Sequence, residues 1–244
     1  MVKRPLGWRY GVQVTTTASG RRTGRASTIA LKLLMAVTGV VFVLYVLVHM
    51  YGNLMAFGGQ ETFDTYAHHL RELLTPMLPY GGFLWVMRVV LVASLVGHAG
   101  AAFALWSRAN KARDQRYVVK KAVRATLSSR TMRWGGVALL AFVVFHLLHL
   151  TTHTIDPAGT GGDSPYLRLV EGFELWWVTL IYLVAMVALG MHLRHGAFSA
   201  LQTLGLTSTK KRYRVAQGFG LTLAIVIAGG FSLVPLSVLV GIIQ

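Results

Sequence analysis

Nine histidines and no cysteine set the chemistry open to this 244-residue chain. His49, His98, His146, His149 and His192 fall inside runs apolar enough to cross a bilayer. An imidazole in hydrocarbon costs free energy unless it is partnered, so an ionisable side chain at that depth marks a functional site by default. With no thiolate available, a transition metal here must take imidazole or carboxylate ligands. Histidine on both faces of a haem iron is the arrangement that such residues on neighbouring helices suit best. A second arrangement is an iron–sulfur cluster held by histidines of this chain and completed by cysteines of a partner subunit.

The elements that must position these residues follow from composition. The chain is 54% hydrophobic and 13% charged, against about 25% charged in a soluble domain, and its mean hydropathy is +0.55. This predicts an all-α integral membrane protein of one domain. Five apolar runs approach the roughly 20 residues that a span requires. They cover about 28–50, 83–107, 134–154, 175–195 and 216–243, and the first four are expected to form a cofactor-binding bundle. The fifth contains Pro235 and the Gly229-Gly230 pair, which a span tolerates. No internal repeat or low-complexity tract is present.

The net charge of +16 would suit nucleic acid if it lay on one amphipathic face. It lies instead in three blocks between apolar runs: the segment before the first span, the 108–133 loop and the 208–214 loop. The 51–82 and 155–174 loops hold only Arg71 and Arg168 among basic residues, and carry Glu61, Asp64, Glu72, Asp156, Asp163, Glu171 and Glu174. The positive-inside rule then places the N-terminus in the cytoplasm and the C-terminus outside. Residues 1–27 contain no acid. That composition would also suit a mitochondrial transit peptide, but a basic cytoplasmic arm ahead of a 28–244 transmembrane domain is the plainer reading, in a bacterial inner membrane. Trp85, Trp106, Trp134, Trp176 and Trp177 lie near span ends as interfacial anchors. Between the first two spans, apolar residues at helical spacing predict a short amphipathic helix within 58–80, ended by Pro76 and Pro79 and lying on the outer surface. His68 and His69 are expected to be solvated there.

At 1.5 Å per residue the intramembrane histidines sort into two layers. His98 lies roughly 6 Å and His192 roughly 10 Å to the inside of the midplane. His49 lies roughly 13 Å to the outside, with His146 at about 3 Å and His149 at about 7 Å on the same side. The inner pair is His98 with His192. The outer pair is His49 with His149 or His146. These two are three residues apart and share a helix face, so one of them is expected to ligate. A lone histidine in a span is often only a helix–helix hydrogen-bond partner; four on successive spans in two layers point to ligation. His153 and His195 fall at the outer and inner interfaces.

At these residues the chain resembles a known family. The runs Lys32-Leu33-Leu34-Met35-Ala36-Val37-Thr38-Gly39 and His49-Met50-Tyr51-Gly52-Asn53-Leu54 carry the likeness, followed by Arg88 and His98. It continues through Ser107-Arg108-Ala109-Asn110-Lys111-Ala112-Arg113, Ser129-Arg130-Thr131-Met132-Arg133-Trp134-Gly135-Gly136 and Phe145-His146-Leu147-Leu148-His149. The most specific stretch is Leu189-Gly190-Met191-His192-Leu193-Arg194-His195-Gly196-Ala197-Phe198-Ser199-Ala200-Leu201-Gln202-Thr203-Leu204-Gly205. The ordered set, from about Ser27 to the C-terminus, resembles the cytochrome b membrane-anchor subunit of succinate dehydrogenase/fumarate reductase in its single-chain, five-helix form.

The resemblance implies a chain that anchors a flavoprotein subunit and an iron–sulfur subunit on the cytoplasmic face. Electrons from succinate would then reach membrane quinone. It implies haem b, one or two, each between two histidines; members of the wider family differ in haem number. The quinone is expected near the inner interface, where Trp8, Arg25, Ser27, Lys32 and His195 offer hydrogen-bonding groups. Glu61, Glu72 and His153 could handle protons on the outer side. Competing readings are the cytochrome b subunit of a hydrogenase- or formate dehydrogenase-type oxidoreductase, or an anchor with no redox centre. A transporter is disfavoured because no span carries an acid.

Overall fold

The computed structural model describes residues 26–111, 127–159 and 164–244. Most of the basic arm, including Trp8 and Arg25, lies outside the described residues, as does most of the 108–133 loop. Among the described residues the chain is helical and has no strand. The five apolar runs become α1 (Thr28–Leu54), α3 (Gly82–Lys111), α4 (Leu127–His146), α6 (Trp176–Thr203) and α7 (Lys210–Leu239), separated by two short helices, α2 (Gly59–Glu72) and α5 (Pro165–Glu174). The five long helices each have the length and apolarity to cross a membrane.

α1, α3, α6 and α7 are longer than their apolar runs because polar residues extend them. α1 starts at the Ser27 cap, whose Oγ accepts from Ala30 N–H at 3.0 Å. α7 starts six residues before the expected 216, where Thr209 Oγ1 accepts from Arg212 N–H at 3.2 Å. It ends at Leu239 rather than 243, and Gly241 takes the positive φ that closes it. The helix between the first two spans stops at Glu72, before Pro76 and Pro79, so the prolines lie in the connection and not at the helix end.

The 155–174 segment is not simply a loop. Pro165 and the Ser164 cap open α5, and Tyr166, Leu169, Val170 and Phe173 are buried along one of its faces. Those positions follow the i, i+3, i+4, i+7 rule of an amphipathic helix. α2 and α5 are tied together by Asp64, which accepts from Ser164 Oγ at 2.6 Å and from Tyr166 N–H at 3.0 Å. Tyr166 donates in turn to the Gln244 carbonyl at 2.9 Å. These short helices and the chain terminus cap the acidic end of the bundle. The opposite, basic end holds Arg108, Lys111, Arg133 and the Lys210–Arg214 run.

Packing among the long helices decides where a cofactor fits. α1 packs along α3, α6 and α7; α4 packs along α6; α6 packs most extensively on α7. α3 and α4 are not packed on each other along their length. They meet at the basic end, where Trp106 and Trp134 lie edge to face at 5.7 Å between centroids and Arg133 covers the Trp106 ring at 5.4 Å. A lengthwise seam is thus bordered by α1, α3, α4 and α6.

Candidate functional site

The four helices that border the seam supply one histidine each to two pairs. Toward the basic end, His98 of α3 and His192 of α6 have ring centroids 6.2 Å apart. Toward the acidic end, His49 of α1 and His146 of α4 are 5.8 Å apart. A metal that takes an imidazole nitrogen at about 2.0–2.1 Å from each side holds the ring centroids roughly 6 Å apart. The two levels are separated consistently. From Thr38 to His49, from Gly136 to His146 and from His192 back to Tyr182 the chain advances ten or eleven residues, about 15 Å of helix.

The basic-end pair is oriented by neighbours that the sequence reading assigned no role. Thr38 Oγ1 donates to the Leu34 carbonyl at 2.7 Å and lies 3.0 Å from His98 Nδ1. With its own hydrogen committed, the hydroxyl accepts from Nδ1–H. That fixes the tautomer and leaves the His98 Nε2 lone pair for a ligand, the usual arrangement behind a metal-bound histidine. His192 Nδ1 is buried with no hydrogen-bond partner in the structure, an orphan that a polar or metal partner would satisfy. Glycine borders both rings: a methyl group at Gly39 would lie 3.8 Å from His98 Cε1, and one at Gly136 would lie 3.6 Å from His192 Cε1. Larger side chains there would fill the space beside the imidazoles.

At the acidic end the structure separates the two candidates on α4. His146 faces His49, whose ring also stacks on Tyr45 at 5.4 Å. His149 is 4% exposed and turned away, its Nε2 edge so close to Gly172 of α5 that a Cβ there would lie 2.9 Å from it. The helix changes to a π-turn over Leu147–Thr151 immediately after His146, a distortion that recurs at functional sites. Tyr182 of α6 bridges the two rings, its hydroxyl 3.2 Å from His146 Nδ1 and 3.0 Å from His149 Nδ1.

Among the described residues no three His, Cys, Asp or Glu side chains converge on one point. The histidines meet in twos, which fits a group that takes one axial imidazole from each side, or a cluster whose remaining ligands come from elsewhere. His98, Thr38, the His192 orphan and the bordering glycines therefore fit either haem b or a histidine-ligated cluster at the basic end. His49 and His146 fit haem b at the acidic end.

The remaining candidates divide. Ser27 is occupied as the α1 cap, and Lys32 is exposed on α1 one turn inward. His195 is half-buried on α6, three residues past His192. His68 and His69 are exposed on α2, and His68 faces Glu72 at 3.7 Å. Glu61 and His69 line an open hollow beside Thr65 and Tyr66. His153 takes a positive φ of 56° and buries its Nε2 without a hydrogen-bond partner. Arg88 lies in α3 over the Trp85 ring at 4.7 Å.

Comparison with known protein families, curated proteins and solved structures finds no match for this chain.

Proposed function

We propose that the chain is the membrane-anchor and electron-transfer subunit of a succinate:quinone oxidoreductase, passing electrons between a soluble iron–sulfur subunit and membrane quinone. One observation carries this reading: two histidine pairs at two levels, one histidine from each of the four helices that border a common seam. His98 and His192 would hold the centre nearer the basic end, and His49 with His146 the centre nearer the acidic end. A bound haem b, or at the basic end a cluster completed by partner cysteines, would supply one-electron redox chemistry that no side chain here provides.

The chain's own residues do the rest. Thr38 orients His98 by accepting its Nδ1–H. Flanking glycines keep the sides of the basic-end rings open. α2 and α5, tied together through Asp64, lie across the acidic end. Arg108, Lys111, Arg133 and the Lys210–Arg214 run present a basic surface, the side on which flavoprotein and iron–sulfur subunits would dock and on which the positive-inside rule places the cytoplasm. Quinone would enter from the lipid near Ser27, Lys32 and His195, close to the basic-end pair.

The test is a reduced-minus-oxidised spectrum of the intact complex with pyridine-haemochrome quantification, followed by His98→Ala. The expected result is loss of one redox centre and of succinate–quinone activity, while electron transfer from succinate to an artificial soluble acceptor persists. Full quinone activity with unchanged haem and iron content in that variant would overturn the proposal. A complex with no redox signal from this chain would leave a redox-inactive anchor.

A further inference from the structure

Tyr182 lies between two histidines that compete for one role. Its hydroxyl is within hydrogen-bond distance of Nδ1 on both His146 and His149. The phenol is 6% exposed and boxed by Phe142, Phe145 and Phe173, with ring centroids 5.0, 6.1 and 4.9 Å away. Among the described residues its hydroxyl lies within hydrogen-bond distance of these two histidines. A phenol has one hydrogen to give. With both contacts satisfied, it donates to one imidazole and accepts from the other, so the two rings must carry their hydrogens on different nitrogens.

Two arrangements exist. In the first, His146 gives its Nδ1–H to the phenol oxygen and keeps its Nε2 lone pair, while the phenol donates to His149 Nδ1 and His149 carries its hydrogen on Nε2. In the second the roles are exchanged. The surroundings choose between them. His146 lies beside His49 at the seam, whereas the Nε2 edge of His149 is walled off by Gly172. Only the first arrangement puts a free lone pair where a second imidazole stands opposite.

We infer that Tyr182 is a positioning residue that sets the tautomers of His146 and His149, making His146 the acidic-end ligand and His149 a supporting hydrogen-bond partner. This rests on the reading of the histidine pairs as cofactor ligands. The hydrogen bond from His146 Nδ1–H to the phenol oxygen makes the imidazole a stronger donor, which favours the oxidised state of the metal it binds.

The experiment is a redox titration of the intact complex, followed optically and by low-temperature electron paramagnetic resonance, in wild type, Tyr182→Phe, His146→Ala and His149→Ala. Tyr182→Phe preserves the ring and removes only the hydroxyl. The acidic-end centre should move to a more positive midpoint potential while the basic-end centre stays where it is. His146→Ala should abolish the acidic-end signal, and His149→Ala should keep it. An unmoved potential in Tyr182→Phe, or loss of the signal in His149→Ala with retention in His146→Ala, overturns the inference alone. A wild-type complex with no acidic-end redox signal overturns the parent reading of that pair and this inference with it.

Discussion

Replacing Thr38 by valine removes a hydroxyl without changing side-chain shape, and its effect can be worked out from two distances. Thr38 Oγ1 is 3.0 Å from His98 Nδ1 and donates to the Leu34 carbonyl at 2.7 Å. In an empty site the imidazole escapes the loss by shifting its hydrogen to Nε2. Once Nε2 binds a metal that escape is closed, and Nδ1–H loses the hydroxyl acceptor and keeps only the Met35 backbone carbonyl beside it. Loss of one such hydrogen bond costs about 0.5–1.5 kcal/mol. Because the cost falls on the loaded state only, it weakens retention of the proposed basic-end centre by roughly 2- to 13-fold. Thr38→Ser restores the acceptor and should restore most of the retention. The assay is transfer of the centre from the purified complex to an excess of scavenger, followed optically in wild type and both variants. Equal retention in wild type and Thr38→Val, or equal weakening in the serine and valine variants, would refute the reasoning.

Three further outcomes are expected. A reporter fused after Gln244 should read as external, since the basic residues gather at the end opposite the α7 terminus; a cytoplasmic reading would overturn the orientation. Asp64→Ala breaks the bonds to Ser164 and Tyr166 at 2.6 and 3.0 Å, and should lower stability by about 1–2 kcal/mol and speed proteolysis near α5; unchanged thermal midpoint and protease resistance would show the tie to be idle. Gly220→Ala places a Cβ about 2.7 Å from the Arg194 carbonyl oxygen. It should destabilise by about 1–3 kcal/mol and loosen the centre proposed at His192, read as a lower thermal midpoint and faster loss of that centre; wild-type behaviour would mean that α6 and α7 separate freely.

The five long helices were legible because hydropathy over about 20 residues is set by the chain alone, without reference to neighbours. The pairing of His98 with His192 was legible for the same reason: depth along a helix is a matter of counting. α5 escaped notice although its signal was present, in the spacing of Tyr166, Leu169, Val170 and Phe173; ten residues rich in loop formers on their N-terminal side concealed it. The choice between His146 and His149 could not be read, because residues three apart share a face. What separates them is a π-turn and contacts with Tyr182 and Gly172, all set by residues distant in sequence. Thr38 was visible as a hydroxyl in an apolar span, but its partner lies 60 residues away, and no pattern within one helix links the two.

α7 contributes no histidine, yet it packs on both α1 and α6, which carry one member of each pair. The contact is close. The Gly220 backbone runs against the Arg194 carbonyl, two residues from His192, and Gly230 lies under the Met50 side chain, adjacent to His49. A membrane chain is made from its N-terminus, so the helices that carry the paired histidines are made before α7, the helix that clamps α1 against α6. The pairs reach their final spacing once α7 has docked. If the pairs hold a prosthetic group, as proposed above, shortened chains that lack α7 would be poor acceptors for it, though supplied with both pairs.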